Sequence, residues 1–394
     1  MRIGIDASRA NTLHRTGTEW YSFFVIKELL EQDTKNSYVL YVKEPLVADM
    51  HYLAEKAEIR VLKWPPKFLW NLFRLSWEMF WNKPEILFVP AHTIPFIHPK
   101  KLITTIHDVG FERFPELYAQ HPIGPKRGVL RYLFSFFVRL FSLGRYGNNE
   151  LDYHRFSVRM ALQHGGEILT VSNFSRDEIC HFFPFPKERI RVIHNGLHPD
   201  YAKTYSEEEI AQTRHTYALP ESYVFFIGRW EKKKNIDGLL RGFAQFQKEN
   251  KDQHLVLIGK PGTGFDEAWA ALDEETRKQI FLLERVHEEV PQIMAGARML
   301  LFPSKYEGFG LPVLEAMALG VPVICSKFAS LPEVAGNAAY YLRDDTPESI
   351  AQALKDVNGS SELREQLREK GFQQVKGFSW QKTGQQIRDL IEQM

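Results

Sequence analysis

The sequence predicts an α/β protein of two domains, each built on a parallel sheet. Short apolar runs of strand length recur along the chain, and most are followed by a pattern of helical period. Several of those helices open on a glycine turn or a capping residue at the end of the preceding run, which is where free backbone N–H groups and the helix dipole favour an anion. The chain has 394 residues, too many for one ordinary domain, so two of similar size are expected: residues 1–200 and 201–378, with 379–394 as a terminal helix.

Composition narrows the function. A formal net charge of +1 gives no global field that would favour nucleic acid as a partner. The only cysteines, Cys180 and Cys325, lie in or near apolar elements without metal-ligand spacing, so two reduced thiols in a cytoplasmic protein are expected. The chain opens directly on a strand pattern, and we expect neither a signal peptide nor a spanning helix.

Taken in order, Ile3–Ala7 is the first strand. A polar loop ends in Arg15-Thr16-Gly17-Thr18, and Glu19–Glu31 is helical, with Trp20, Phe23, Phe24, Ile26, Leu29 and Leu30 as its apolar stripe. Tyr38–Val42 and Ile59–Lys63 are strands with a helical stretch at Ala48–Ala57 between them. Residues 65–84 are densely aromatic (Phe68, Trp70, Phe73, Trp77, Phe80, Trp81), which fits either core packing or a surface that meets an apolar partner. Glu85–Ala91 and Lys101–Ile106 are strands, and the second ends in His107-Asp108. That is where open parallel sheets bind ligands.

Residues 119–150 form an insert. Within 126–143, Arg127, Arg131 and Arg139 share one face of an otherwise apolar helical pattern. Such a segment can lie on a membrane surface, or pack over the core or a dimer contact. Glu167–Val171 is a strand leading into Ser172-Asn173 and a helix, for which Ser175 and Glu178 fit a capping box. Arg189–Ile193 and the turn at Asn195-Gly196 close the first half, and Tyr205–Thr213 is a helix near the linker.

The second half restarts with the strand Tyr223–Ile227, followed by Gly228-Arg229-Trp230-Glu231-Lys232-Lys233-Lys234-Asn235. Arg229 and Lys234 flank a turn at a strand end, and paired cations there suit a diphosphate leaving group. His254–Ile258 and Ile280–Leu283 are strands, the latter followed by Glu284-Arg285-Val286-His287. Met299–Phe302 then leads into Ser304–Ser326, SKYEGFGLPVLEAMALGVPVICS. Gly308 and Gly310 bracket Phe309, Pro312 suits the first helical turn, Val313–Leu319 continues the helix and Gly320 ends it. Glu307 and Glu315 flank this anion site. Carboxylates do not hold phosphate, but they accept hydrogen bonds from hydroxyls, and a sugar nucleotide carries hydroxyls on both sides of its diphosphate. Val321–Cys325 and Ala339–Leu342 are the last strands, and Pro347–Val375 is largely helical.

The Glu307–Glu315 stretch, the Gly228-Arg229…Lys234 turn, TIHDVGFERFPELY around His107, the serine loop at Ser172 and Ser330-Leu331-Pro332-Glu333-Val334 together resemble the retaining glycosyltransferases of family 4. The resemblance implies the GT-B fold, two Rossmann-like domains facing each other across a cleft, with a mannosyltransferase-like, nucleotide-sugar-dependent activity. It implies that Glu307 holds the donor sugar, that the Phe309–Leu311 backbone, with Gly308 and Gly310, meets sugar and phosphate, and that Glu315 binds the ribose. Arg229 and Lys234 would grip the phosphates beside Gly228. Gly17 would face the donor phosphate, the backbone at Val286 the nucleobase, and His107 the donor sugar. Asp108 would orient the imidazole or touch acceptor, with Ser172 and Asn173 as further acceptor-side candidates.

No cofactor and no metal are expected. The partners expected are a nucleotide-sugar donor and a glycan or lipid-linked acceptor, with peripheral contact to the inner face of a membrane through 65–84 and 126–143. An epimerase of the same fold and a non-catalytic sugar-nucleotide-binding module are the alternatives.

Overall fold

The computed structural model describes residues 1–64, 69–119, 122, 149–286 and 288–394. Two compact units divide the chain: Met1–Asn195 with Trp380–Met394, and Gly196–Ser379. The basic stripe of Arg127, Arg131 and Arg139 lies outside the described residues, as do Phe68 and His287.

The first unit holds a seven-stranded parallel sheet in the order β3-β2-β1-β4-β5-β6-β7. These strands are β1 (Arg2–Asp6), β2 (Ser37–Val42), β3 (Glu58–Val61), β4 (Ile86–Val89), β5 (Lys101–Thr105), β6 (Glu167–Thr170) and β7 (Ile190–Val192). Ile3 and Ile5 on β1 and all four residues of β4 are fully buried, as apolar strands covered on both faces should be. The reversal of strand order falls between β1 and β4, the switch point beside which such sheets bind ligands.

The helix after β1 starts two residues earlier than the sequence reading placed it, at Gly17. The Glu19 carboxylate accepts from the Thr16 N–H at 2.9 Å, closing a capping box over the first turn. Gly17 is therefore the first helical residue, and it is exposed. The stretch expected to be helical at 48–57 is a 3-10 helix, Ala48–Glu55.

The aromatic run divides between both expected fates. Trp70 is buried and donates from its indole N–H to the Leu62 carbonyl at 2.7 Å. Trp77, Phe80 and Trp81, on the helix Ser76–Trp81, are 63%, 59% and 65% exposed. The terminal helix Trp380–Gln393 lies against the helix Gly17–Gln32. Trp380 stacks on Phe24 at 5.0 Å, Arg388 donates to the Gln32 carbonyl, and a Cβ on Gly384 would stand 2.5 Å from the Glu28 Cβ.

The second unit holds a six-stranded parallel sheet in the order β10-β9-β8-β11-β12-β13. Its strands are β8 (Tyr223–Ile227), β9 (His254–Ile258), β10 (Ile280–Leu283), β11 (Met299–Phe302), β12 (Val323–Cys325) and β13 (Ala339–Tyr341). Every residue of β11 and β12 is fully buried. Helices Pro347–Gly359 and Ser361–Gln374 divide the long helical stretch, with Ser360 capping the second through the Leu363 N–H. Cys325 is buried, and both cysteines are free thiols.

Candidate functional site

At the end of β11 the backbone turns through Pro303 and Ser304 into the glycine turn. Gly310 adopts φ 103°, where a β-carbon is strained, and caps the helix Leu311–Ala318 with Pro312 in its first turn. A Cβ on Gly310 would stand 2.6 Å from Leu331 Cδ2. Leu311 is thus the first helical residue, at the end where N–H groups lack intrahelical acceptors.

The turn is held from behind. Ser330, fully buried, donates its hydroxyl to the carbonyls of Glu307 and Phe309, at 3.0 and 2.7 Å. With those carbonyls occupied, the Glu307-Gly308-Phe309 peptides are fixed in orientation. The Phe309 ring packs edge-on against Phe378.

The cation turn follows β8. Gly228 sits at φ 139°, and the backbone continues through Arg229 and Trp230 into the turn Lys232–Lys234. Asn235, buried and left-handed at φ 55°, ends that turn, and its side-chain amide donates to the Asp345 carbonyl at 2.9 Å. The Lys305 N–H donates to the Lys233 carbonyl at 2.9 Å, which docks the turn on the segment after β11.

This docking brings Lys234 onto Glu307, 73 residues later, in a hydrogen-bonded ion pair with both side chains largely buried. Lys234 Nζ also lies 5.3 Å from the centre of the Phe302 ring. Of the three lysines in the turn, Lys234 is the one that meets Glu307. Arg229 is different: it is 57% exposed and pairs loosely with Glu231 at 3.5 Å.

Glu315 stands on the same helix as the glycine turn. Desolvation by burial pushes its carboxyl up to about 8. Tyr201 lies beside it, and burial followed by the Glu315 charge drives the phenol far above its usual value. Val286 follows β10 and is buried, so its backbone, rather than its side chain, is what a ligand could meet.

In the first unit, His107 follows β5. Its Nε2 donates to the Pro90 carbonyl at 3.2 Å, since a carbonyl can only accept, and Nδ1 is thereby left as an acceptor. The Tyr21 ring meets the imidazole edge-on at 4.6 Å. Burial, reinforced by the Arg9 charge and opposed by the Pro90 hydrogen bond, lowers the imidazole to about 4, so it is neutral near pH 7.

Asp108 accepts from the Gly110 N–H at 2.8 Å and so braces its own loop. That geometry does not orient His107. A histidine pair lies close by, His92 Nε2 to His154 Nδ1 at 2.9 Å, and burial followed by the His154 and Arg9 charges keeps His92 neutral.

The serine loop corrects one expectation. The cap of the helix Asn173–Phe182 is Ser172, whose Oγ accepts from the Ser175 N–H at 3.0 Å. Ser175 is inside the first turn and buried, and Glu178 is taken by Arg113 in a two-pronged pair at 2.7 Å. The capping box therefore does not form, because its acid serves a long-range ion pair.

Asn235 and Tyr201 were given no role by the sequence reading, and Ser330 appeared there only within a stretch of family resemblance. Only Asn235 carried a local signal, an asparagine directly after a charged turn, where the left-handed conformation is tolerated.

Residues 208–374 match the family model described as glycosyl transferases group 1, and residues 44–201 the model of glycosyltransferase family 4. The chain is 32% identical over 312 residues to the O-antigen chain mannosyltransferase B of Escherichia coli, covering 78% of this chain and 74% of that one. It is 24% identical over 307 residues to the O-antigen chain mannosyltransferase RfbU of Salmonella typhimurium, covering 77% and 73%. Among solved structures, WaaG, a glycosyltransferase involved in lipopolysaccharide biosynthesis, superimposes with a TM-score of 0.69 at 15% identity over 99% of both chains. Anabaena HepE in complex with UDP and glucose gives 0.68 at 14%, covering 100% of this chain and 99% of that one. At these identities the likeness is one of fold, and it places the two sheets in the GT-B architecture.

Proposed function

The chain belongs to the glycosyltransferases of family 4, and we propose that it transfers mannose from a nucleoside diphosphate to a hydroxyl of a lipid-linked glycan, with retention and without a metal. The observation that carries this reading is the Lys234–Glu307 pair at the glycine turn, with Glu315 eight residues further on. Two carboxylates flank a cation and a helix N-terminus there, and a sugar nucleotide carries hydroxyls on both sides of its diphosphate.

In this reading Arg229 and Lys234 take the diphosphate and stabilise it as it leaves. Glu307 accepts from hydroxyls of the donor sugar, and the Gly308–Leu311 backbone meets the sugar and the phosphate. Glu315 accepts from the ribose, beside the base at Val286. His107 contributes a neutral imidazole to the sugar, and Gly17, Asp108, Ser172 and Asn173 serve donor phosphate and acceptor as the family resemblance implies. Mannose is supported by the named relatives, both mannosyltransferases of O-antigen chains. The exposed Trp77, Phe80 and Trp81 suit rings resting at headgroup level, so we place the enzyme at the inner face of a membrane, where such an acceptor resides. Among the described residues no helix is long and apolar enough to cross one.

The test is turnover of nucleoside diphosphate mannose with and without a lipid-linked glycan. Product that requires acceptor supports the transferase. An epimerised donor formed without acceptor favours the epimerase reading, and binding without turnover favours a non-catalytic module. Loss of activity on chelation removes metal independence.

A further inference from the structure

A cavity of about 410 Å³ opens in the first unit beyond the C-terminal ends of β1 and β2, a volume typical of ligand pockets. Ser8 and Arg9 line it after β1, Lys43 after β2, Glu19 from the start of the following helix, Asn71 from the aromatic run, and Tyr153 from the helix Glu150–His164. Its charges are unevenly satisfied. The Glu19 carboxylate is committed to the Thr16 cap. Asp6, the last residue of β1, accepts from the Ser8 N–H at 3.0 Å and from the Asn71 amide.

The two cations have no such engagement. Arg9 makes no hydrogen bond or ion pair among the described residues, and its charge bears on His92, His107, Tyr153 and Lys43. Lys43 lies over the face of Trp70, at 5.5 Å, and desolvation lowers its ammonium, opposed by the Asp6 charge. The Ser8 hydroxyl is buried in the wall without a hydrogen-bond partner. Leu69, also in the wall, holds φ 52°, a conformation a branched side chain rarely adopts. Two cations without hydrogen bonds among the described residues and an orphaned hydroxyl, just beyond two strand ends, form a site for an anion with several acceptor oxygens.

We propose that Arg9 and Lys43 bind the diphosphate through which the acceptor glycan is joined to its lipid. Arg9 and Lys43 belong to the first unit and Arg229 and Lys234 to the second, so substitutions in each unit tell the two apart. The proposal rests on the reading of the acceptor as lipid-linked, but its test is a binding measurement that requires no transfer, so the two readings fail separately.

The full chain is titrated by calorimetry with a short-chain isoprenyl diphosphate, the corresponding isoprenyl alcohol, and inorganic pyrophosphate. Loss of one charge-assisted contact should weaken binding by about tenfold or more. We expect the isoprenyl diphosphate to bind at least tenfold more tightly than the alcohol. Arg9→Gln and Lys43→Gln should each remove that advantage, Lys43→Arg should keep most of it, and Arg229→Ala should leave it unchanged. Melting temperatures establish that each variant is folded, and if Lys43→Gln is not, Arg9→Gln alone decides. Equal binding of diphosphate and alcohol, or a loss confined to Arg229→Ala, overturns the proposal. Equal affinity for isoprenyl diphosphate and inorganic pyrophosphate also overturns it, by assigning the pocket to free diphosphate.

Discussion

Glu315 carries a carboxyl pushed up to about 8 by burial, from an ordinary value of 4.5. The folded chain therefore binds more protons at this site than the unfolded chain between those values, and stability falls as pH rises through that window. Glu315→Gln should flatten this part of the pH–stability curve, and denaturant midpoints from pH 5 to 9 would show it. His107 acts in the opposite sense, since its lowered value costs stability as pH falls from 6.5 towards 4.

A ribose that donates to Glu315 favours the carboxylate, so nucleotide binding at pH 7 should release a proton. Calorimetry in buffers of different ionisation enthalpy measures that release, and Glu315→Gln should abolish it along with much of the affinity. The same substitution should mainly raise KM, whereas Glu307→Gln, at the residue proposed to hold the donor sugar, should lower kcat more. Equal effects of both variants on KM alone would refute this division of labour.

At the scale of elements, the glycine turn is the most exacting local structure. Gly310→Ala places a β-carbon at φ 103° and 2.6 Å from Leu331. Strain of about 1–2 kcal/mol and overpacking of about 1–3 kcal/mol should follow, readable as a lower melting temperature. Ser330→Ala releases two carbonyls and should raise KM for the donor without an equal loss of stability.

Much of this architecture was legible in the chain. The strands β8, β9, β10 and β11 fall where their apolar runs placed them, because buried parallel strands are written as continuous hydrophobic segments between turn residues. Gly310, Pro312 and Gly320 marked the helix between β11 and β12 by backbone chemistry alone. What local pattern could not give were the contacts across sequence. The Ser330 tether depends on a residue 20 or more positions away from the carbonyls it holds. The failure of the Ser175–Glu178 cap depends on Arg113, and no local rule selects Glu307 as the partner of Lys234.

At the scale of the molecule, the terminal helix belongs to the first unit although the second unit precedes it in the chain. Ending the chain at Ser379 would remove Trp380 from Phe24 and from Tyr21, the residue that backs His107. We expect such a truncation to lower the stability of the first unit and the activity together, while nucleotide binding by the second unit persists, as thermal shift with nucleotide would report. The exposed Trp77, Phe80 and Trp81 make a second whole-molecule prediction. Flotation with liposomes should weaken in Trp77→Ser/Trp81→Ser, and absence of binding to any liposome would remove the membrane contact.

The most direct measurement of the central claim is transfer itself, followed by mass spectrometry, from nucleoside diphosphate mannose to a lipid-linked glycan in the presence of a chelator. We expect one added hexose per acceptor, persistence of activity in the chelator, and a loss of roughly 10²–10³ in rate for Arg229→Ala. No transfer under any condition, or full activity in Arg229→Ala, would contradict it.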